Sequence, residues 1–184
     1  IISYQIFCGH ESYNRRRFDA EQFHLIRKID TPTKAYSGID SGDISVDSKY
    51  LRFGTTNKEL FYYEIDGELV TSPIAVRNVE WRTQTCIFNW MTKGCWKAPA
   101  DGVSIVSMDV SISKKLIAVA FENGELAIYN FPCQNFGASC VMVNGISSVA
   151  SRVLFSNTGS YLIALDKDQR AILAYKCRDV LLDA

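Results

Sequence analysis

Three stretches of the chain share one pattern of apolar and polar positions. They read KYLRFGTTNKELFYYEI from Lys49, KKLIAVAFENGELAIYNF from Lys114 and SYLIALDKDQRAILAYKC from Ser160. Each opens on a short apolar run around Leu51, Leu116 or Leu162. Each breaks at a polar triplet: Thr56-Asn57-Lys58, Glu122-Asn123-Gly124 or Asp166-Lys167-Asp168. Each then resumes with Leu, Ile and Tyr. A short apolar run, a polar turn and a second run at this spacing predict an antiparallel β-hairpin. The predicted strands are Leu51–Thr55, Leu60–Ile65, Leu116–Phe121, Leu126–Phe131, Leu162–Leu165 and Ile172–Cys177. On this alignment the turn of the first copy is one residue shorter than the others.

The copies begin 65 and 46 residues apart, since 114 − 49 is 65 and 160 − 114 is 46. A propeller blade of four short strands takes roughly 40–45 residues. The second interval holds one blade; the first carries an excess that falls between Val79 and Gly102. Further strand signals precede two hairpins, at Ile105–Val110 and Val149–Phe155, with a weaker one at Asp43–Asp47. Outer-strand candidates come after two of them, at Leu69–Val76 and Cys140–Val143. This order is that of a WD-repeat blade, with Tyr63, Tyr129 and Tyr175 at the tryptophan position and Glu64, Asn130 and Lys176 at the aspartate position. Gly9-His10 offers a weak counterpart of the dipeptide that opens such a repeat. The fold expected is all-β: a WD-repeat β-propeller portion of about three to four four-stranded blades, an incomplete ring. Residues 43–184 supply the blades. Residues 1–42 form a poorly matched entry segment, part of a preceding blade plus an insertion. Within it Glu11–Lys34 reads either as a short helix, from the spacing of Phe18, Phe23, Ile26 and Ile29 and the acid-early, base-late charges, or as an extended insertion.

Composition narrows the partners. Twenty basic side chains balance twenty acidic ones, so the formal net charge is zero. Nucleic acid and anionic membranes select basic surfaces and are not expected partners. The longest uncharged apolar run, Leu116–Phe121, is far too short to span a bilayer. The six cysteines include no C-x-x-C pair, His10 and His24 are the only histidines, and no N-x-[ST] acceptor occurs. Neither a metal site nor another cofactor is expected, and the cysteines read as reduced thiols of a cytosolic protein. The chain opens on Ile1, which suggests a piece of a longer polypeptide.

The excess between the first two copies holds all three tryptophans, in IAVRNVEWRTQTCIFNWMTKGCWKAPADG from Ile74 to Gly102. This stretch resembles the echinoderm microtubule-associated protein-like family, which carries an A-V-R-[DN]-[IV]-E-W-x-T-x-T-C run in a blade of its second propeller. Here the run comprises Ala75, Val76, Arg77, Asn78, Val79, Glu80, Trp81, Thr83, Thr85 and Cys86. Gly94, Trp96, Asp101 and Gly102 match the Gly-x-Trp and Asp-Gly that come after it, and Tyr129 to Cys133 match a later Y-P-C-like element. SVDSKYLR from Ser45 is similar to the family too, whereas the match before Ser45 is poor and the family Pro is displaced to Pro99. The resemblance implies the carboxy-terminal part of a tandem propeller, tubulin or microtubules as partners and a cytoplasmic, cytoskeletal location. It also implies that the rest of the polypeptide completes the ring.

Read from the residues alone, Trp81, Cys86, Phe88, Trp90 and Trp96 carry too much apolar surface for a plain loop. They either pack on a neighbouring blade or propeller, or form a docking patch in which Arg82 and Trp90 are the best contact candidates. Arg15, Arg16 and Arg17 form a basic cluster that could meet an acidic partner. There is no G-x-S-x-G, no Gly-rich phosphate loop and no H-E-x-x-H, so no enzyme is expected. Asp166 and Asp168 read as turn residues. Two functions remain: a tubulin-binding module, or a general protein–protein scaffold with no tubulin contact.

Overall fold

A computed structural model describes residues 5–9, 14–19, 25–30, 38–96, 102–145, 148–168 and 170–177. Its contacts divide the chain into two units, 1–82 and 83–184. The first unit holds β1 (Gln5–Gly9), β2 (Asn14–Asp19) and β3 (Leu25–Asp30), paired in the order β1-β2-β3, and a second sheet β4 (Ile39–Ile44), β5 (Tyr50–Thr55) and β6 (Leu60–Glu64). The second unit holds β7 (Ile105–Val110), β8 (Leu116–Phe121), β9 (Leu126–Asn130) and β10 (Cys140–Val143), ordered β10-β9-β8-β7. It also holds the sheet β11 (Ala150–Phe155), β12 (Tyr161–Asp166) and β13 (Ala171–Lys176). All pairings are antiparallel. The chain is all-β, as expected. Among the described residues one sheet has four strands and three have three.

The repeat is the same at atomic detail in three sheets. Ser45, Ser111 and Ser156 each come after a first strand, and each hydroxyl oxygen accepts the backbone N–H five residues on, from Tyr50, Leu116 and Tyr161. The backbone N–H of each serine also donates to the carbonyl of that same partner. A short polar side chain satisfies turn donors that no strand can reach, which is why serine recurs there. Each first strand carries a register shift at the same place, between Ile39 and Ser41, Ile105 and Ser107, and Ala150 and Arg152. The serines therefore set the alignment: Leu51, Ile117 and Leu162 are equivalent and pair with Tyr63, Tyr129 and Tyr175.

This frame corrects the sequence alignment, which slipped by one residue in the second copy. Thr55 N–H donates to Glu59 and Phe121 N–H to Glu125, so both loops have three residues, while Asp166 pairs with Ala171 across four. The third turn is the longer one, and the first is not short. The weak strand predicted at Asp43–Asp47 lies earlier, at Ile39–Ile44. The outer strand predicted at Leu69–Val76 does not form. Leu69 makes a single bridge to Tyr63, and Pro73 starts a 3-10 helix over Pro73–Val76; proline has no N–H to give a ladder. Within Glu11–Lys34 the described residues are strands β2 and β3, not a helix. Ile29 is buried against Leu51, Phe53 and Tyr63, and that tertiary burial overrides the helical spacing. His10, Pro99 and Asp101 lie outside the described residues.

Strand β8 is buried on both faces. Ile117, Val119 and Phe121 enter a core with Cys95, Ile105, Met108, Tyr129 and Cys133. On the opposite face Ala118 and Ala120 meet Ala150, Val153, Leu162 and Ala164. Alanine on that face lets the next sheet come close. The edge of β11 is then satisfied from β7: Val153 N–H donates to Ser107 Oγ at 3.2 Å and Phe155 N–H to Asp109 Oδ2 at 2.7 Å. Burial raises the Asp109 pKa above the ordinary carboxylate value, opposed by the Phe155 N–H.

The turns and the Asp109 contact can each be tested by substitution. Lys58 sits at φ 65°, where its counterpart in the second hairpin is Gly124 at φ 87°. Left-handed backbone costs a side chain about 1–2 kcal/mol, part of which glycine returns as unfolded-chain entropy. Lys58→Gly should therefore raise the unfolding free energy by about 0.5–1 kcal/mol, read as a higher urea midpoint at unchanged slope. Gly124→Ala should lower it, because a Cβ there would also lie 3.1 Å from the Ser148 carbonyl. For Asp109, a raised folded pKa means stability that is present below the unfolded pKa and lost as pH rises through the folded value. Asp109→Asn keeps an acceptor for Phe155 and removes the charge. Its stability advantage over the parent should be absent near pH 3 and grow as pH climbs past the ordinary Asp value of about 3.9. A constant difference across that range would contradict the role assigned to burial.

Candidate protein-interaction site

The tryptophan-bearing stretch falls in both units, and each part has its own job. In the first unit, Glu80–Arg82 lies antiparallel along the end of β4. Val46 N–H donates to Glu80 O at 2.8 Å, Arg82 N–H donates to Ile44 O at 2.9 Å, and Ser45 bridges Trp81. This registers the Trp81 ring over one face of the β4–β6 sheet, in a cluster with Tyr62 and Val76. The ring is 8% exposed. Its face meets the Arg52 guanidinium at 4.3 Å, and Tyr62 tilts against it at 6.0 Å.

Arg52 is the residue that explains the ring. Its Nε donates to Asp43 Oδ2 at 2.8 Å, with side chains 1% and 0% exposed. A buried pair of this kind is stable only if both ions are well satisfied and water is excluded. Trp81 provides an apolar lid whose π-face attracts the cation. Arg82 ties the lid down from outside, donating to Val46 O at 3.2 Å and Ser48 Oγ at 3.1 Å. The sequence offered Arg82 as a partner contact; its guanidinium is held by its own unit. Arg77 and Glu80 are exposed.

In the second unit, Thr83 and Thr85 are exposed and Gln84 and Cys86 are buried. Asn89 caps a 3-10 helix over Trp90–Cys95, its Oδ1 accepting from Met91 N–H at 2.9 Å and its Nδ2 donating to Cys86 O. Thr92 Oγ1 donates to Ile87 O at 2.8 Å. Gly94 N–H donates to Cys133 O at 2.7 Å, and Cys133 N–H to Met91 O at 2.8 Å. A Cβ on Gly94 would strike the Asn135 carbonyl and the Cys133 sulfur, so only glycine permits this approach. Trp96 is half-buried and stacks on Phe88 at 4.4 Å. Among the described residues Cys95, Cys133, Cys140 and Cys177 are thiols outside any disulfide. The hydrogen bond to Cys133, together with burial, pushes the Cys95 thiol well above its ordinary pKa, so it stays protonated.

The structure thus keeps Trp81 apart in role from Trp90, which is 38% exposed. Arg15, Arg16 and Arg17 lie on β2, in register with Ile29, Lys28 and Arg27 of β3 respectively. Asp166 ends β12, where its Oδ1 accepts from Ser148 Oγ and Asp168 N–H, the turn role expected of it. Asp43 and Arg52 were missed. The signal was Arg52 itself, a charged residue at the strand position where the second and third copies carry Ala118 and Ile163.

Two substitutions test the lid. Trp81→Ala should cost roughly 3–5 kcal/mol, as a large-to-small change in a packed core does. Asp43→Ala should cost a similar amount, about 3–5 kcal/mol, because it strands the Arg52 charge. Equilibrium unfolding of each variant measures both; normal stability in Trp81→Ala would make the ring an interface group instead.

Comparison with known proteins agrees with this picture. The family model of the echinoderm microtubule-associated protein second beta-propeller matches residues 11–177, beginning well upstream of Asp43, where the sequence reading found little. Echinoderm microtubule-associated protein-like 4 of Homo sapiens is 26% identical over 136 residues, 73% of this chain and 14% of that protein. The like-1 protein of Rattus norvegicus is 27% identical over 135 residues, 73% of this chain and 17% of that protein. The chain therefore spans a small part of the curated relatives it matches. Among solved structures, the Cps50 (Swd1) β-propeller domain of Myceliophteria thermophila superposes with a TM-score of 0.51 at 12% identity, over 95% of this chain and 50% of that one. That likeness shows the fold. The chain belongs to the echinoderm microtubule-associated protein family, as part of its second β-propeller.

Proposed function

We propose that this chain is a cytoskeletal binding module, a propeller portion of a microtubule-associated protein that contacts tubulin or microtubules. It acts by rigid display of surface, with no bond made or broken, and works in the cytoplasm on the cytoskeleton. The observation that carries this reading is the family match over residues 11–177, joined to relatives named as microtubule-associated proteins. On this reading the blades begin at Ile39 with β4, four residues before the boundary read from the sequence, the residues before it are part of a preceding blade plus an insertion, and other parts of the same polypeptide complete the ring. Of the family-like residues, the buried Trp81 and Cys86 and the half-buried Trp96 build the scaffold, while the exposed Arg77, Glu80, Thr83 and Thr85, like Trp90, are open to a partner.

Buried aromatic anchors backed by a fixed scaffold suit a binding surface, because little side-chain entropy is lost on association. Co-sedimentation with preformed microtubules, run beside a pull-down of soluble tubulin, tests the proposal. Saturable binding in at least one arm is expected. A protein that stays in the supernatant and retains no tubulin would turn the assignment to a general protein–protein scaffold.

A further inference from the structure

The 3-10 helix over Trp90–Cys95 buries Thr92, Gly94 and Cys95 and turns the rest of its surface outward. Three residues make one turn of such a helix, so side chains at i and i+3 eclipse. Trp90 and Lys93 therefore share one face. The Lys93 ammonium lies 4.6 Å from the centre of the Phe136 ring, which is 61% exposed. Next to this row Met91 is half-buried, its sulfur accepting from Gln134 Nε2 at 3.5 Å. Trp90 and Lys93 on one helix face, with Phe136 against the Lys93 ammonium, thus make an aromatic and cationic strip. The backbone bonds from Gly94 N–H to Cys133 O and from Cys133 N–H to Met91 O join its two supports.

The two segments that build the strip contain no acidic residue. From Thr83 to Ala100 the charged residues are Lys93 and Lys97, with Asp101 coming next, and Phe131–Val149 has no charged residue. Among the described residues Lys93 has an aromatic ring, and no carboxylate, as its partner. Both segments lack acid around Phe136, the most exposed aromatic side chain among the described residues.

We propose that this strip is a docking surface for an acidic linear segment of a partner protein, a run of Glu or Asp that carries one aromatic residue. Phe136 lies against an exposed ammonium, and a carboxylate arriving from solvent completes the pair. Trp90 offers the flat apolar area on which the partner's aromatic side chain packs, and tryptophan beside a cation is the composition of interface hot spots. Charge complementarity selects this occupant over a neutral one. The surface and its chemistry stand whether or not the partner is tubulin.

The probe is a decapeptide of nine Glu and one Phe, with a peptide of nine Gln and one Phe as control, titrated against the whole chain and monitored by tryptophan fluorescence and amide shifts. The acidic peptide should bind about ten-fold or more tightly than the control. Trp90→Ala and Lys93→Glu should each weaken it about ten-fold or more, Lys93→Arg should retain it, and Lys115→Glu, the same charge change elsewhere, should leave it unchanged. Equal affinity for the two peptides, no binding of either, or indifference to Lys93→Glu would overturn the proposal. So would self-association of the peptide-free chain that Trp90→Ala abolishes, since the occupant would then be a second copy. Microtubule pelleting that persists when peptide binding is absent defeats this inference alone. Peptide binding without pelleting defeats only the tubulin reading.

Discussion

The middle strands β5 and β8 sit between two layers, and each of their sheets must therefore find a cover for both of its faces. Strands β5 and β8 have five of their six residues buried. One face is filled the same way in each copy, by Leu51 and Phe53, by Ile117 and Val119, and by Leu162 and Ala164. The other face differs from copy to copy, and those differences explain most of what distinguishes one sheet from the next. In the β7–β10 sheet that face is alanine, narrow enough for a neighbouring sheet, and Asp109 reaches across to the neighbour's N–H. In the β4–β6 sheet the equivalent positions are Asp43 and Arg52, a buried ion pair that no flat apolar sheet could cover without stranding charge.

The lengthened first interval of the chain is the answer to that pair. Glu80–Arg82 zips onto the end of β4, and the Trp81 ring closes over Arg52. Further along the same interval stands a second small structure, the capped 3-10 helix that Gly94 locks against Cys133. One stretch of sequence so rich in tryptophan does two things: its first ring is a lid, while Trp90 is held outward on a rigid support. A propeller that acts by display needs this division, because an exposed aromatic side chain is useful only if its support does not move.

Much of this was legible in the chain. The hairpin strands lie within a residue or so of where alternation put them, because apolar runs and polar turns carry the period directly. The register between copies was not legible. Lys114 and Lys115 offer the same residue twice, and only the serine-to-backbone bonds at Ser45, Ser111 and Ser156 decide between them. The Leu69–Val76 strand failed at Pro73, whose cost to a ladder outweighs the apolar pattern. The two family-like runs, SVDSKYLR and the one containing E-W-R-T, could be recognised separately. Nothing in their spacing told that they touch, through Ser45 and Trp81, Ser48 and Arg82, and Arg52 and Trp81. Contacts between segments so far apart in sequence belong to the fold and leave no local trace.

The central claim is that Trp81 is there because Arg52 is buried. A double-mutant cycle between Trp81→Leu and Arg52→Met tests it most directly, since leucine keeps an apolar cover and removes only the aromatic face. Equilibrium unfolding of the four proteins should give a coupling energy of about 1–2 kcal/mol, the value of a desolvated cation over a ring. Additivity to within about 0.3 kcal/mol would show that the ring and the ion pair are stabilised independently, and would contradict the account.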